Sequence, residues 1–256
     1  MFNIFFAVKE NSTISRNHKN MELIISLYAL VIGSFLNVCI YRIPRGISIA
    51  FPRSFCPNCQ NKIKWYDLVP VFSFLWLRGR CRSCKTPIPI QYPVVEILTA
   101  VLGAALYRKF GLSGDFFKSA VFCCLLMVIA WIDYYHHRIP NQLSISGIIT
   151  GLLWAAFYGK VEFFCAGLGM IIGGGILLPI AHFYPQGMGM GDVKLMAMIG
   201  AFLGVKAVLY TLFIGAGLGA VIGFILISCK IITRKTRIPF APFLAVGAVV
   251  TTLFIL

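Results

Sequence analysis

Acidic residues are scarce in this sequence, which contains eight of them among 256 residues, against 23 lysines and arginines. Long polar stretches are also few, because runs of about 17–25 mostly apolar residues, long enough to cross a bilayer as helices, recur from Glu22 onward. That pattern excludes a soluble globular protein. Backbone groups in lipid have to pair within their own segment, so the spans must be helical. The sequence therefore predicts an all-α polytopic membrane protein.

Eight candidate spans follow from the apolar runs, at about 23–41, 94–107, 117–134, 142–159, 163–183, 193–204, 207–229 and 239–256. The sixth is short and could merge with the seventh into one broken element, so seven to eight transmembrane helices are expected. Residues 1–20 have too short an apolar stretch for a cleavable signal peptide. We expect them to form an extension before the first transmembrane helix at 21–41, with Met21 as an alternative start.

One long polar insert, residues 42–92, separates the first two spans and holds nine of the basic residues. Cytoplasmic loops are enriched in lysine and arginine, so the insert is predicted to be cytoplasmic. The eight-span arrangement then places fifteen basic residues inside and eight outside, which favours eight spans over seven. The same bias, assisted by attraction to anionic lipid headgroups, accounts for the net charge of +15. Membrane lipid is therefore an expected partner, and nucleic acid is not.

The insert contains two C-x-x-C pairs, Cys56 with Cys59 and Cys81 with Cys84. Two such pairs can place four thiolates tetrahedrally around one zinc ion, with no open position, so the metal would be structural. Two disulfides are the competing interpretation, and the reducing cytoplasm disfavours them. The sequence therefore predicts a small cytoplasmic zinc-binding insert.

Several hydrolase motifs are missing from the sequence. It has no G-x-S-x-G elbow and no H-E-x-x-H zinc motif, and its four histidines show no partnered serine or cysteine. The adjacent His136 and His137 are interpreted as a solvated loop pair. These absences leave carboxylates as the candidates for chemistry.

Three of the acids lie at or near membrane depth, namely Glu96, Asp133 and Asp192. Helices three and six, if antiparallel, could bring Asp133 and Asp192 together at the cytoplasmic face. Two close carboxylates share a proton, so one can activate water while the other polarises a carbonyl, as in an aspartic protease. An ion or proton transporter that uses all three acids as a relay is the alternative. Both aspartates lie at one face, which disfavours it. A scaffold organised by the insert would leave them unexplained.

Several motifs in order give the chain a family resemblance. The segment "GMGMGDVKL" resembles the G-x-G-D motif of intramembrane aspartyl proteases, and the whole chain resembles type IV prepilin peptidases. The resemblance extends to "GSFLNVCIYRIPRG", "RSFCPNC", "LRGRCRSC", "YPVVE", "IDYYHHRIP" and "IPFAPFLAVG". Two positions depart from the family pattern. Asn141 stands where aspartate is frequent, and Ala241 stands where glycine is usual.

The resemblance implies a multi-pass enzyme of the bacterial inner membrane. It would cleave the positively charged leader of prepilins and of type II secretion pseudopilins after a glycine, on the cytoplasmic side. Asp133 and Asp192 match the catalytic aspartates of the family, within a transmembrane protease core at 93–256. Many members also methylate the new N-terminus with S-adenosyl-L-methionine. Glu96 and the loop around Arg42–Gly46 are candidates for that methyl-donor site.

Overall fold

The computed structural model describes residues 2–158, 160–184, 188–233, 236 and 238–255, with side chains from His18 onward except at 160 and 161. Over these residues the chain is helical, and β-pairing is limited to two isolated bridges. The helices are α1 Phe2–Arg42, α2 Phe72–Trp76, α3 Gln91–Phe110, α4 Gly114–His136, α5 Asn141–Tyr158, α6 Lys160–Phe183, α7 Met190–Ser228 and α8 Ala241–Val250. The predicted all-α fold is confirmed.

Four helical segments are long and apolar enough to cross a membrane, among the residues described: His18–Arg45, Gly114–His136, Glu162–Phe183 and Met190–Ser228. The predicted spans at 94–107 and 142–159 are also helices, α3 and α5. The predicted last span is α8 followed by one π-helical turn, Thr251–Ile255. Helix α1 starts at Phe2 rather than near residue 21. No proline or glycine interrupts the sequence from Phe2 until Gly33, which gives the helix no local reason to begin later.

The chain divides into two compact units, one of residues 1–39 and 48–116, the other of residues 40–47 and 117–256. In the first unit α1 packs closely on α3, because Gly33 has no side chain to keep it from the backbone of Glu96. In the second unit a buried core is shared by α4, α6, α7 and α8. It includes Phe122, Leu126, Leu177, Met196, Phe202 and Leu244.

Helix α7 is not a single straight span. Gly204 interrupts it with φ 79° and ψ −177°, a backbone conformation that essentially only glycine adopts. A side chain at Gly173 of α6 would meet both Met196 and Val208. In a straight helix those two positions would lie about 18 Å apart, so the chain must reverse its direction at Gly204.

The predicted sixth and seventh spans, 193–204 and 207–229, are therefore the two antiparallel halves of one broken element. The first half, residues 190–203, is about 21 Å long, which is shorter than the roughly 30 Å hydrocarbon core of a bilayer. Its glycines allow close backbone contact with α6, where Gly200 meets Gly169. The packing of this short half sets where Asp192, near its start, lies in the bundle.

Candidate active site and metal centre

Asp192 is the third residue of α7, which begins after Gly189. The Asp192 carboxylate accepts a hydrogen bond of 3.3 Å from the Gly189 N–H, and the Asp192 N–H donates to the Gly189 carbonyl at 3.1 Å. A carboxylate in the first turn of a helix is stabilised by the unpaired N–H groups and by the helix dipole. The side chain is only 8% exposed. Asp192 therefore contributes to capping the N-terminus of α7.

Asp133 lies in the last turn of α4 and is only 7% exposed. The end of a helix is unfavourable for a negative charge, because the unpaired carbonyl groups carry negative partial charge. Another helix compensates: the Ala241 N–H, at the first residue of α8, donates to Asp133 Oδ2 at 3.2 Å. Asp133 is thus stabilised by the start of a helix more than a hundred residues away in the chain.

The two aspartates lie near enough for their charges to interact. The C-terminal end of α4 and the N-terminal ends of α7 and α8 meet here, which brings both carboxylates to one end of the second unit. This is the juxtaposition that the sequence predicts for Asp133 and Asp192. The contact between the Ala241 N–H and Asp133 is not among the sequence predictions, because a backbone donor leaves no residue-type signal. The motif "IPFAPFLAVG" signals only the start of α8, through Pro242 at the second position of the helix.

The segment between α4 and α5 packs directly on the start of α7. A side chain at Gly191 would come within 3.0 Å of Ile139 Cβ, so it would force Ile139 to move by a few tenths of an ångström. One turn further, Lys194 Nζ donates to Asn141 Oδ1 at 2.8 Å. Gly187, the first residue of the motif "GMGMGDVKL", lies outside the described residues.

An open pocket of about 570 Å³ lies within the second unit. Several of the residues that line it stand close to Asp133 in the sequence, on both sides of it. Its lining combines apolar residues with polar and basic ones. The lining residues are Ile43, Pro44, Ile132, His136, Arg138, Ile139, Pro140, Asn141 and Gln142. A chain segment with an apolar side and a hydrogen-bonding backbone would match this lining.

His137 has a larger role than the sequence indicated. Its imidazole interacts electrostatically with the Asp133 carboxylate. The backbone N–H of His137 donates to the backbone carbonyl of Asp133 at 2.8 Å. His136 lines the pocket. Both side chains are exposed, as expected for a solvated pair, but they flank the candidate site rather than an unrelated loop.

The two C-x-x-C pairs of the insert form matching turns. After Cys56, the Gln60 N–H donates to the Cys56 carbonyl at 2.9 Å, and after Cys81 the Lys85 N–H donates to the Cys81 carbonyl at 3.0 Å. Both Gln60 and Lys85 have φ of 59°. Each turn is closed by one isolated bridge, Phe55 with Lys62 and Arg80 with Pro87. The insert therefore contains two copies of one ligand-presenting turn.

The four cysteine sulfurs converge on one point and lie within 4.8 Å of one another. Cys56 Sγ and Cys84 Sγ are 3.8 Å apart. That separation is about what two ligands of a tetrahedral zinc require, given a Zn–S distance of roughly 2.3 Å, and is far longer than the roughly 2 Å of a disulfide. All four residues are free thiols. The donor set and its geometry therefore fit a closed, structural zinc site.

The surroundings shift the pKa values of two of these thiols, Cys59 and Cys84, in opposite directions. Hydrogen bonds from Thr86 lower the pKa of Cys84 to about 5, while Asn58 donates to the Thr86 hydroxyl at 2.8 Å. The Asn61 N–H lowers the pKa of Cys59, but desolvation and the neighbouring sulfurs outweigh it and raise the pKa to about 11. A bound divalent cation would favour the ionised form of all four thiols, because metal ligands have to be deprotonated.

Glu96 lies in α3, within the first unit, and is 6% exposed. Its Oε2 accepts a hydrogen bond of 2.7 Å from the Val71 N–H, and its carboxylate also bonds the Ser34 side chain. Val71 is a β-branched residue at φ 60° and ψ −50°, a strained conformation that costs roughly 1–3 kcal/mol unless its surroundings hold it. Glu96 therefore fixes the start of α2, and its predicted role toward a methyl donor stays a prediction.

Comparisons with known proteins agree along most of the chain. Residues 27–110 match a family model described as "Bacterial Peptidase A24 N-terminal domain", and residues 120–224 match "Type IV leader peptidase family". A protein of Bacillus subtilis named "Prepilin leader peptidase/N-methyltransferase" is 35% identical over 91% of this chain and 94% of its own length.

Two further relatives carry the same printed name. The protein of Aeromonas hydrophila is 32% identical over 90% of each chain. That of Xanthomonas campestris is 34% identical over 85% of this chain and 86% of its own length. No solved structure matched. Given identity above 30% over nearly the full length of these relatives, the chain belongs to the type IV leader peptidase family.

Proposed function

We propose that this protein is a membrane aspartyl endopeptidase that removes the leader peptide of prepilins and type II secretion pseudopilins. We also propose that it methylates the amino group released by the cut. The observation that carries the first proposal is the pair of buried, interacting carboxylates of Asp133 and Asp192. Relatives named for both activities support the second.

The dyad acts on water without a covalent enzyme intermediate. One carboxyl group is ionised and accepts a proton from water as the water oxygen attacks the scissile carbonyl carbon. The other is protonated and donates to the carbonyl oxygen, which gives a neutral tetrahedral intermediate. When the carbon–nitrogen bond breaks, the protonated carboxyl group donates its proton to the amine nitrogen. The ionised carboxylate accepts a proton from a hydroxyl group of the intermediate, which restores the starting state of the pair. The pair shares its proton, so neither aspartate is assigned a fixed role as acid or base.

The surrounding residues position this pair. The N–H groups of Gly189 and Ala241 each hold one carboxylate oxygen and leave the other for water or substrate. The pocket of residues 132–142 with Ile43 and Pro44 would receive the extended backbone next to the cleaved bond. The positive leader would stay on the cytoplasmic side under the same charge rule that orients the enzyme, and the apolar mature helix would lie along the spans.

The cofactors have separate roles in this proposal. Zinc, held by Cys56, Cys59, Cys81 and Cys84, stabilises the fold of the insert and takes no part in hydrolysis. S-Adenosylmethionine supplies the methyl group when bound. Glu96 and the segment Arg42–Gly46 are the proposed contacts for it. We assign no further geometry to the methyl donor.

The proposal is tested by assaying a prepilin in membranes with the wild type and with Asp133→Asn and Asp192→Asn. Each variant should lose cleavage while it still methylates a pre-cleaved substrate, since amides keep the shape but cannot exchange the proton. Asp115→Asn is the matched control, because Asp115 is the exposed acid in the first turn of the same helix as Asp133.

Cleavage at the wild-type rate by either dyad variant would overturn the aspartyl mechanism. Proton- or ion-dependent flux in sealed vesicles that is lost in both variants, with cleavage absent from the wild type, would instead favour the transporter. The methyl-donor proposal is tested by Glu96→Gln, which should reduce methylation and leave cleavage unchanged.

A further inference from the structure

The zinc insert exposes large apolar side chains outside the helices predicted to span the membrane. Phe72, Leu75 and Trp76 of α2 are 66%, 65% and 82% exposed, and Trp65 in the preceding turn is 81% exposed. Positions i, i+3 and i+4 lie on one side of a helix. Helix α2 therefore has one apolar face that nothing in the described part of the chain covers.

The same insert is strongly basic on its surface. The exposed side chains of residues 53–85 include Arg53, Lys62, Lys64, Arg78, Arg80 and Lys85. Its single acid, Asp67, accepts two hydrogen bonds from Arg82, at 2.6 and 2.8 Å. This ion pair lowers the pKa of Asp67, so the carboxylate stays ionised and its charge is neutralised by Arg82. A zinc ion with four thiolates would carry two negative charges, which leaves the insert positive.

The apolar face is fixed beside helices of the membrane. Val71, which precedes α2, donates to Glu96, and Glu96 lies about 8 Å along α3 from its first residue. Glu96 also lies only two residues inside the span that the sequence predicts at 94–107. The apolar face is therefore tethered close to the end of that predicted span, where hydrocarbon would give way to headgroups.

We propose that the insert docks on the anionic phospholipid surface through Phe72, Leu75, Trp76 and Trp65, with the neighbouring basic side chains on the headgroup phosphates. Tryptophan is favoured at the headgroup level, and lysine and arginine are attracted to anionic lipid. A soluble protein partner would match the apolar face and leave the charge unexplained. This inference does not depend on the proposed peptidase chemistry.

The test uses the full chain in nanodiscs and follows the emission of Trp76. Substituting Trp65, Trp131 and Trp154 with phenylalanine leaves Trp76 as the only one of the chain's four tryptophans. Lipids brominated near the acyl-chain carbonyl should quench it about twofold or more in discs of phosphatidylcholine and phosphatidylglycerol in equal parts, because the ring would lie at that depth. Bound zinc is measured in each sample to verify that the insert is folded.

Charge variants separate lipid docking from simple proximity. Arg78→Gln and Arg80→Gln should each weaken the quenching in phosphatidylglycerol discs, because each lost charge lowers the docking equilibrium constant about fivefold. Neither substitution should change the quenching much in discs of phosphatidylcholine alone. Lys109→Gln, outside the insert in the last turn of α3, is the matched control.

Two outcomes would overturn the proposal. Trp76 that stays open to acrylamide and unquenched by lipid would show that the face remains in water. Trp76 that is shielded from acrylamide but not quenched by brominated lipid would show that protein covers it, either the rest of the chain or a second copy.

Discussion

The backbone N–H of Ala241 donates to Oδ2 of Asp133 at 3.2 Å, and both residues are buried. This contact joins the end of α4 to the start of α8. It depends on the position of one backbone nitrogen, so substitutions at 241 can move it without removing any charged group.

We expect Ala241→Gly to cleave prepilin within about twofold of the wild type, because the N–H remains and glycine costs at most roughly 1 kcal/mol in helix stability. Ala241→Val should lower kcat for cleavage about tenfold or more, because the added methyl groups overpack a fully buried position and displace the nitrogen. The comparison is made at equal protein levels. Equal rates for all three proteins would show that this contact does not position Asp133.

A side chain at Gly191 should lower cleavage. An added Cβ would lie 3.0 Å from Ile139 Cβ, so Gly191→Ala should push the 139–140 segment from the start of α7 and lower cleavage about tenfold or more. Gly189→Ala is the matched control, because its nearest atoms would be 3.8 Å away or further and its φ of −86° suits alanine. Comparable losses at both positions would indicate a general need for glycine in the motif rather than this contact.

Gly204 should determine the stability of the bundle. Gly204→Ala places a side chain at φ 79° and should reduce the free energy of unfolding by roughly 1–3 kcal/mol. In the same helix, Gly217 has nothing within 4 Å of an added Cβ, and Gly217→Ala should be neutral or stabilising by up to about 1 kcal/mol. Thermal unfolding in detergent measures both. A destabilisation of equal size at 217 would contradict a specific reversal at 204.

Zinc should be present at about one ion per chain and be lost in Cys59→Ser, because a structural site needs all four sulfurs. Bound zinc should also fall on acidification, because protons compete for the thiolates. Elemental analysis after dialysis against a mild chelator measures both effects. Cys124→Ser, in α4, is the control and should keep the metal. A metal-free wild type that resists proteolysis within the insert would refute a structural role for zinc.

The sequence predicts much of this molecule because its strongest patterns are local. Apolar runs locate the helices, and the C-x-x-C spacing alone brings the cysteines of each pair together. The break near Gly204 was visible as a gap between two apolar runs, but the reversal there depends on packing against Gly173 and Gly169. The Ala241 contact with Asp133 could not be predicted, because backbone donors leave no residue-type signal in a sequence.

The pocket lined by residues on both sides of Asp133 in the sequence also includes Ile43 and Pro44, which lie at the start of the insert. The matched peptidase segment, residues 120–224, contains both aspartates but neither Ile43 and Pro44 nor Ala241. The candidate site is thus drawn from three separate stretches of the chain. A recombination event that moved only the central stretch into another protein would carry the acids without their surroundings. Selection for cleavage would therefore keep the two halves of this chain together.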